Sequence, residues 1–309
     1  MALIACLGPA LASPAYSAPA SGTSAPPARA EGVLERVARS GELRMIGPAD
    51  HPPLLSLDAQ GRPQGYVMVV ATRIAELVSA AVGRPVRVQF EAVTDAEPLT
   101  RRLGEGQAEL ACALPFSWAR DQMVDFSMPI GLSGLRLMAP AGRFTGAPAL
   151  LAGRRIAVVR DSLAETQLRG LQPAARLQAY GDLPAALTAL TAGQVEGVVG
   201  DSALLAGLAH QRGLKGMALT PEVPYLRYAL ACAVPENNSA FQHLVNRAIT
   251  QLLQDYIAGD ATSVTAINRW VGPGSALNLP AQQIRGVFDA LLIGVEPLRP
   301  APAPAGASR

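Results

Sequence analysis

The sequence is poor in cysteine, histidine and aromatic residues, and each shortage removes a class of function. Of three cysteines, Cys6, Cys112 and Cys232, the latter two show no metal-ligand spacing. Three histidines, His51, His210 and His243, stand outside any His-Glu-x-x-His pattern, so neither a metal nor a cofactor is expected. Aromatics make up only 5% of the chain and no run of basic residues occurs, which removes a nucleic-acid partner. Beyond the first residues no segment holds eighteen uninterrupted apolar positions, so a soluble body is expected.

What is present is a globular composition. The 309 residues are 50% hydrophobic and 16% charged, with a net charge of +2 spread along the chain. That length suits one large domain or two of ordinary size. The opening MALIACLGPALASPAYSAPA has the apolar length of a secretory signal, with Ala10-Leu11-Ala12 as a cleavage site. Its charged n-region is missing, as if the true start lay upstream. Leu3-Ile4-Ala5-Cys6 also has the form of a lipoprotein box, which would anchor the chain by lipid at Cys6. The alternatives are thus a periplasmic or secreted protein freed by cleavage and a lipid-anchored one. Residues 13–30 are rich in Pro, Ala and Ser and read as a tether.

From Gly32 helical and strand-like segments alternate. Val33, Leu34, Val37 and Ala38 form one helical face stopped by Gly41; a second helix is expected over Val69 to Val82, and a short one near Pro98 to Leu103. LRMIG, VRVQFEAV and ELACAL read as strands, a pattern of parallel α/β layers. Cys112 and Cys232 lie in apolar runs, where they read as small buried residues or, in an oxidising compartment, as a disulfide. Leu103-Gly-Glu-Gly106-Gln107-Ala-Glu109 is echoed by Leu190-Thr-Ala-Gly193-Gln194-Val-Glu196, so two similarly wound lobes are expected. Ligands of open α/β sheets bind beyond the carboxyl ends of strands, here just before Arg120 and at Asp201.

Seven segments taken in order resemble bacterial extracellular solute-binding proteins of family 3, the amino-acid receptors of ABC transporters. They are Gly41-Glu-Leu-Arg-Met, Asp50-His-Pro-Pro, Leu57-Asp-Ala-Gln-Gly-Arg-Pro-Gln-Gly-Tyr66, Ser117-Trp-Ala-Arg120, Val124-Asp-Phe-Ser127-Met-Pro129, Val195-Glu-Gly-Val-Val-Gly-Asp201 and Asn268-Arg-Trp270-Val-Gly272. The resemblance implies a type II periplasmic-binding-protein fold: two α/β lobes, each a mostly parallel sheet flanked by helices, joined by two crossovers that form a hinge. Lobe 1 would hold residues 31–132 and 228–273, lobe 2 residues 133–227, with a helical extension at 274–298 on lobe 1 and a loose tail at 299–309. It also implies that Arg120 grips an α-carboxylate and Asp201 an α-ammonium, in a cleft also lined by His51, Pro115, Ser117, Trp118, Asp161 and Ser162.

Several positions depart from the family pattern. Pro115 stands where a Ser or Thr is usual and removes both hydroxyl and N–H. Arg160-Asp161-Ser162-Leu163 replaces Gly-Thr-Thr and sets an acid where a carboxylate is held. Val67 and Val69 replace an acidic pair, and His51 replaces an aromatic residue. Bland readings stand beside the functional ones. Ser162 with Glu165 fits a capping box, Asp201 fits an N-cap, and Arg120 fits a surface pair with Asp121 or Asp125. Trp118 reads as lid or core, and His51 as a polar residue at the cleft edge.

The expected function is a monomeric, non-enzymatic receptor for a small zwitterionic or carboxylate-bearing solute, working with an ABC permease. Two alternatives stay open. One is an orphan relative, resembling a cyanobacterial subgroup associated with radical-SAM peptide maturation, that binds a secreted Gly-rich peptide or a maturation partner. The other resembles periplasmic cyclohexadienyl dehydratases and would recruit Asp161 or His51 as an acid.

Overall fold

The computed structural model describes residues 31–93 and 96–298. The chain runs α1 (Val33–Ser40), β1 (Glu42–Gly47), β2 (Asp50–His51), β3 (Leu55–Leu57), β4 (Pro63–Gln64), α2 (Tyr66–Val82), β5 (Arg87–Ala92), α3 (Ala96–Gly104), β6 (Ala111–Pro115), α4 (Trp118–Asp121) and β7 (Val124–Pro140). It continues through β8 (Arg155–Val159), α5 (Leu163–Leu171), β9 (Arg176–Tyr180), α6 (Leu183–Thr191), β10 (Gly197–Asp201), α7 (Ser202–Gln211) and β11 (Met217–Thr220). Then follow β12 (Leu226–Pro235), α8 (Ser239–Ala258), α9 (Ala261–Val271) and α10 (Ala281–Leu291). The expected strands lie in β1, β5 and β6. α1 and α2 end at Gly41 and Gly83, both left-handed, a conformation that glycine adopts without steric cost. The second helix begins at Tyr66, three residues earlier than its apolar periodicity indicates, because Gly65 turns the chain there.

Two long strands organise the molecule. β7 and β12 pair antiparallel from Val124↔Pro235 to Leu135↔Leu226, so the crossings between lobes form a continuous two-stranded ribbon. On the lobe 2 side the sheet continues β7-β10-β8-β9, with β8–β9 and β8–β10 parallel and β10 antiparallel to β7. On the lobe 1 side β6 joins β12 antiparallel, and β1 pairs β5 in parallel. The sheets are therefore mixed. Winding within a lobe makes parallel pairs, whereas a chain that must leave a lobe and return makes antiparallel ones.

Core packing follows the alternation of side chains along the strands. In lobe 2, Ile156 and Val158 pack with Leu137, Leu168 and Val199 on one sheet face, while Ala157 packs with Leu187, Val198, Leu205 and Leu208 on the other. Both faces are apolar because helices cover both. Lobe 1 gathers Leu43, Met45, Ile74, Val78, Phe241, Val245 and Tyr256 into one cluster. The extension packs there too: Ile284 and Phe288 belong to this cluster, and Leu277 and Leu279 lie against it from the coil before α10.

The sequence echo has a structural meaning. Glu109 accepts from the backbone N–H of Arg44 at 2.9 Å and from its guanidinium, whose Nη2 also donates to the Gly106 carbonyl at 2.8 Å. Glu196 accepts from the backbone N–H of Arg155 at 3.4 Å, and the Arg155 guanidinium donates to the Gly193 carbonyl at 3.5 Å. In each lobe the acid that follows the helix is tied to the same point of the neighbouring parallel strand. Arg36 adds a contact to Glu109 at 3.4 Å, and Arg143 and Arg154 pair with Glu196 at 2.6 and 3.3 Å.

Candidate functional site

Strand register brings two ends together. Pro115, at the carboxyl end of β6, is registered with Leu230, and Asp201, at the carboxyl end of β10, with Leu135, which itself faces Leu226. The two ends thus meet opposite edges of the crossing ribbon, four residues apart along it, about 13 Å at the usual rise of a strand. This is the place where open α/β sheets bind ligands.

From β6 the chain passes through Phe116 and Ser117 into the single turn of α4. Ser117 is its N-cap residue, and its backbone carbonyl, not its hydroxyl, receives the Arg120 N–H at 3.0 Å. Half-buried Arg120 donates from Nη1 to the Pro115 carbonyl at 3.2 Å. No ion pair joins it to Asp121, Asp125 or any other described acid. Burial pushes its pKa down, which is the mark of a cation stripped of water without an anion in return. Trp118 is 77% exposed, so it is not core; its ring stands edge-on to Phe116, centroids 4.9 Å apart, at the rim of the same turn.

The Cys112–Cys232 disulfide fastens β6 to β12. Ala113, next to it, takes a left-handed backbone (φ 62°), unusual for a residue with a Cβ. The strand that delivers Arg120 is therefore clamped near its start and irregular at its middle residue.

Asp201 caps α7. Its Oδ1 accepts from the N–H groups of Ala203 and Leu204 at 2.9 and 3.0 Å, and its Oδ2 accepts from the Tyr228 hydroxyl at 2.6 Å. A carboxylate offers about four acceptor positions, and donors among the described residues use three of them. Capping and solute contact are thus compatible in one residue. Burial pushes the Tyr228 hydroxyl far up, and the Asp201 charge adds to that shift.

His51, on β2, lies 3.7 Å from Asp50 and feels the charge of Asp201 across the cleft. Burial lowers its pKa and outweighs both acids, so the neutral imidazole is favoured. At the second-lobe turn, Ser162 Oγ accepts from the Glu165 N–H at 3.2 Å. Glu165 reaches back to the Asp161 N–H at 2.8 Å, one residue before the partner an ordinary capping box uses. Asp161 takes the left-handed conformation (φ 55°) of a turn glycine. This turn is capped from within: Glu165 is buried and paired with Arg169, and Asp161 lies exposed beside Arg160.

Register places Pro115 at one strand end and Asp201 at the other; Ser117, Trp118 and Arg120 follow Pro115 in the chain, and His51, on lobe 1, feels the Asp201 charge. Asp161 and Ser162 form the turn after β8, whose parallel register with β10 (Val198↔Ala157) carries it to the same end of the sheet as Asp201. Tyr228 and Phe116 were not singled out by the sequence. Tyr228 carried a signal, a polar-tipped aromatic at the head of the apolar run that returns from lobe 2. An open groove of about 550 Å³ lies elsewhere on lobe 1, beside Thr72, Arg73 and Trp270, and its Arg73 is already paired with Glu76 and Asp255. Among the described residues no group of three or more His, Cys, Asp or Glu is placed to hold a metal, and no helix is long and apolar enough to cross a membrane.

Two α/β lobes on a strand ribbon, with charged groups at the converging strand ends, define a hinged solute-capture protein. The chain belongs to the bacterial extracellular solute-binding proteins, family 3, whose model matches residues 43–261. It is 23% identical over 198 residues to the ABC transporter glutamine-binding protein GlnH of Bacillus subtilis (strain 168), across 64% of this chain and 70% of that protein. An ancestral arginine-binding protein bound to glutamine shares the fold at a TM-score of 0.62 and 22% identity, covering 75% of this chain and 98% of the other. So does an ancestral amino acid-binding protein described as a precursor of cyclohexadienyl dehydratase, at 0.64 and 19%, covering 78% and 99%. A member of this family captures and releases its solute, so the chain is a binding protein and not an enzyme. Membership places its work in the periplasm or outside the cell. The leader, its cleavage site and Cys6 lie outside the described residues.

Proposed function

We propose that the protein captures a free amino acid between its lobes and passes it to an ABC permease. The α-carboxylate lies on the Arg120 guanidinium, and the α-ammonium takes the remaining acceptor position of the Asp201 carboxylate. One observation carries this reading: Arg120 is a half-buried guanidinium with a single backbone acceptor and no acid paired to it. A planar guanidinium meets a carboxylate with two parallel donors, and lobe closure removes the water that would screen them. The names of the similar proteins, receptors for glutamine and arginine, support an amino acid as the solute class.

Asp161 in the second-lobe turn and the loss of donors at Pro115 put the work of holding the carboxylate on Arg120. Trp118 and Phe116 then offer an aromatic wall beside it to the solute's side chain.

The test is a thermal-shift screen of the protein against the twenty L-amino acids, with Arg120→Ala alongside. One chemical class of amino acid is expected to raise the melting temperature, and Arg120→Ala to abolish the rise. An undiminished rise in Arg120→Ala would remove Arg120 from the site. Silence with all twenty would set the amino-acid reading aside in favour of a peptide, the Gly-rich class included, tested next in the same assay.

A further inference from the structure

Gly207 occupies the interior of α7, where glycine is a poor choice on helical grounds alone. Its surroundings explain it. A Cβ at this position would stand 1.9 Å from the Pro52 carbonyl oxygen and 2.7 Å from Pro53 Cδ. Pro52 and Pro53 belong to lobe 1 and α7 to lobe 2, so this is a contact across the cleft. Leu204, one turn earlier on α7, packs against the lobe 1 core beside it.

The lobe 1 side of the contact is fixed. The Pro53 and Leu54 carbonyls accept from the first N–H groups of α2, Tyr66 at 3.1 Å and Val67 at 2.9 Å. Gly65 lies so close beneath that its own Cβ would be 2.3 Å from the Leu54 carbonyl oxygen. The backbone next to Pro52 is therefore held from the lobe 1 side, and an added methyl group pushes α7 away from it.

We infer that Gly207 is a positioning residue for solute capture: its missing side chain is the clearance that lets α7 seat on Pro52–Pro53, and any larger residue holds the cleft ajar. The inference rests on capture by closure, but not on which solute is captured. Asp201, the cap of α7, and His51, the neighbour of Pro52, are carried together by this seating. Gly207 thus acts through the placement of the cleft residues and touches no solute itself.

The experiment measures energy transfer between dyes placed at exposed Gln60 in lobe 1 and Arg176 in lobe 2 of the whole protein. It is done without additive and with a mixture of the twenty L-amino acids. Gly207→Ala is compared with wild type and with Gly170→Ala, a glycine of α5 that has open space beside it. Wild type and Gly170→Ala are expected to show a closed population that Gly207→Ala lacks, while Gly207→Ala melts no lower than wild type because alanine is the better helix former. Leu204→Ala, which adds no atoms, should lower the closed fraction and keeps the inference testable if Gly207→Ala fails to fold.

A closed population in Gly207→Ala equal to that of wild type overturns the inference. So does a wild-type chain that never closes. If wild type closes alike with and without the amino acids, and no thermal shift accompanies them, the proposed solute class falls while the Gly207 comparison still stands.

Discussion

The hydroxyl of Tyr228, on the strand that returns from lobe 2, donates to Asp201 Oδ2 at 2.6 Å. One residue of the crossing ribbon thereby holds the acid at the start of α7, with Tyr228 facing Ser133 on the other crossing strand. The Ser133 hydroxyl is buried beside it, while the link from ribbon to acid runs through the Tyr228 hydroxyl.

Tyr228→Phe removes that donor from a charged acceptor, a class of hydrogen bond worth about 1.5–3 kcal/mol. Because the site is only partly buried, a loss near the lower bound is expected on denaturant titration. The two helical N–H donors keep Asp201 in place, so the fold should survive. A variant as stable as wild type would show that the hydroxyl is held for the solute and not for the fold.

Removing the Cys112–Cys232 bond frees a segment of 120 residues. In the chain-entropy description the unfolded state gains about 4–5 kcal/mol for a loop of this size, and measured losses usually lie at 2–5. Cys112→Ala with Cys232→Ala should therefore melt well below the oxidised protein, and reduction should move the wild type toward the variant. Coincident melts with and without reductant would mean that the bond does not form. If Arg120 is the carboxylate anchor, amino-acid affinity should fall in the same variant, because the clamp lies on the strand that delivers it.

Glu196 is held below the usual carboxylate range, first by its hydrogen bond from Arg143 and then by the Arg155 N–H and its neighbouring cations, against a raising contribution from burial. Its folded pKa is lower than its unfolded one. The stability it adds is complete above the ordinary glutamate pKa of about 4.3 and is lost as pH falls through the folded value. Glu165 behaves alike through Arg169. Melting temperature should hold steady from pH 7 to about 5 and then drop, and Glu196→Gln should make the drop shallower. Parallel curves for the two proteins would remove Glu196 from the acid response.

Much of the fold was legible because helix stops and apolar periodicity are local. Gly41 and Gly83 ended their helices as glycines that accept a left-handed turn, and ELACAL was a strand by its apolar run. The repeated Gly-Gln-x-Glu also announced two lobes, and its role as a strand anchor explains why the glutamates recur. The ribbon was harder to see. Pairing of β7 with β12 joins residues about a hundred positions apart, and no local signal sets that register. In the site, the capping roles of Ser162 and Asp201 were readable, as each precedes a helix by one residue. Whether Arg120 had an acid beside it depended on three-dimensional placement. The Gly207 contact was invisible, because nothing in SALLAGLAH says what lies on the far side of a cleft.

The crossing ribbon sets what kind of motion these lobes have. Its two strands are laddered through the junction, from Val124↔Pro235 to Leu135↔Leu226, with irregular register near Leu230 and Ala231. A slide of one lobe past the other would break that ladder, whereas twisting or bending it costs little. The ladder thus ties the two lobes in register along the ribbon, and any relative motion must run through its bending or twisting.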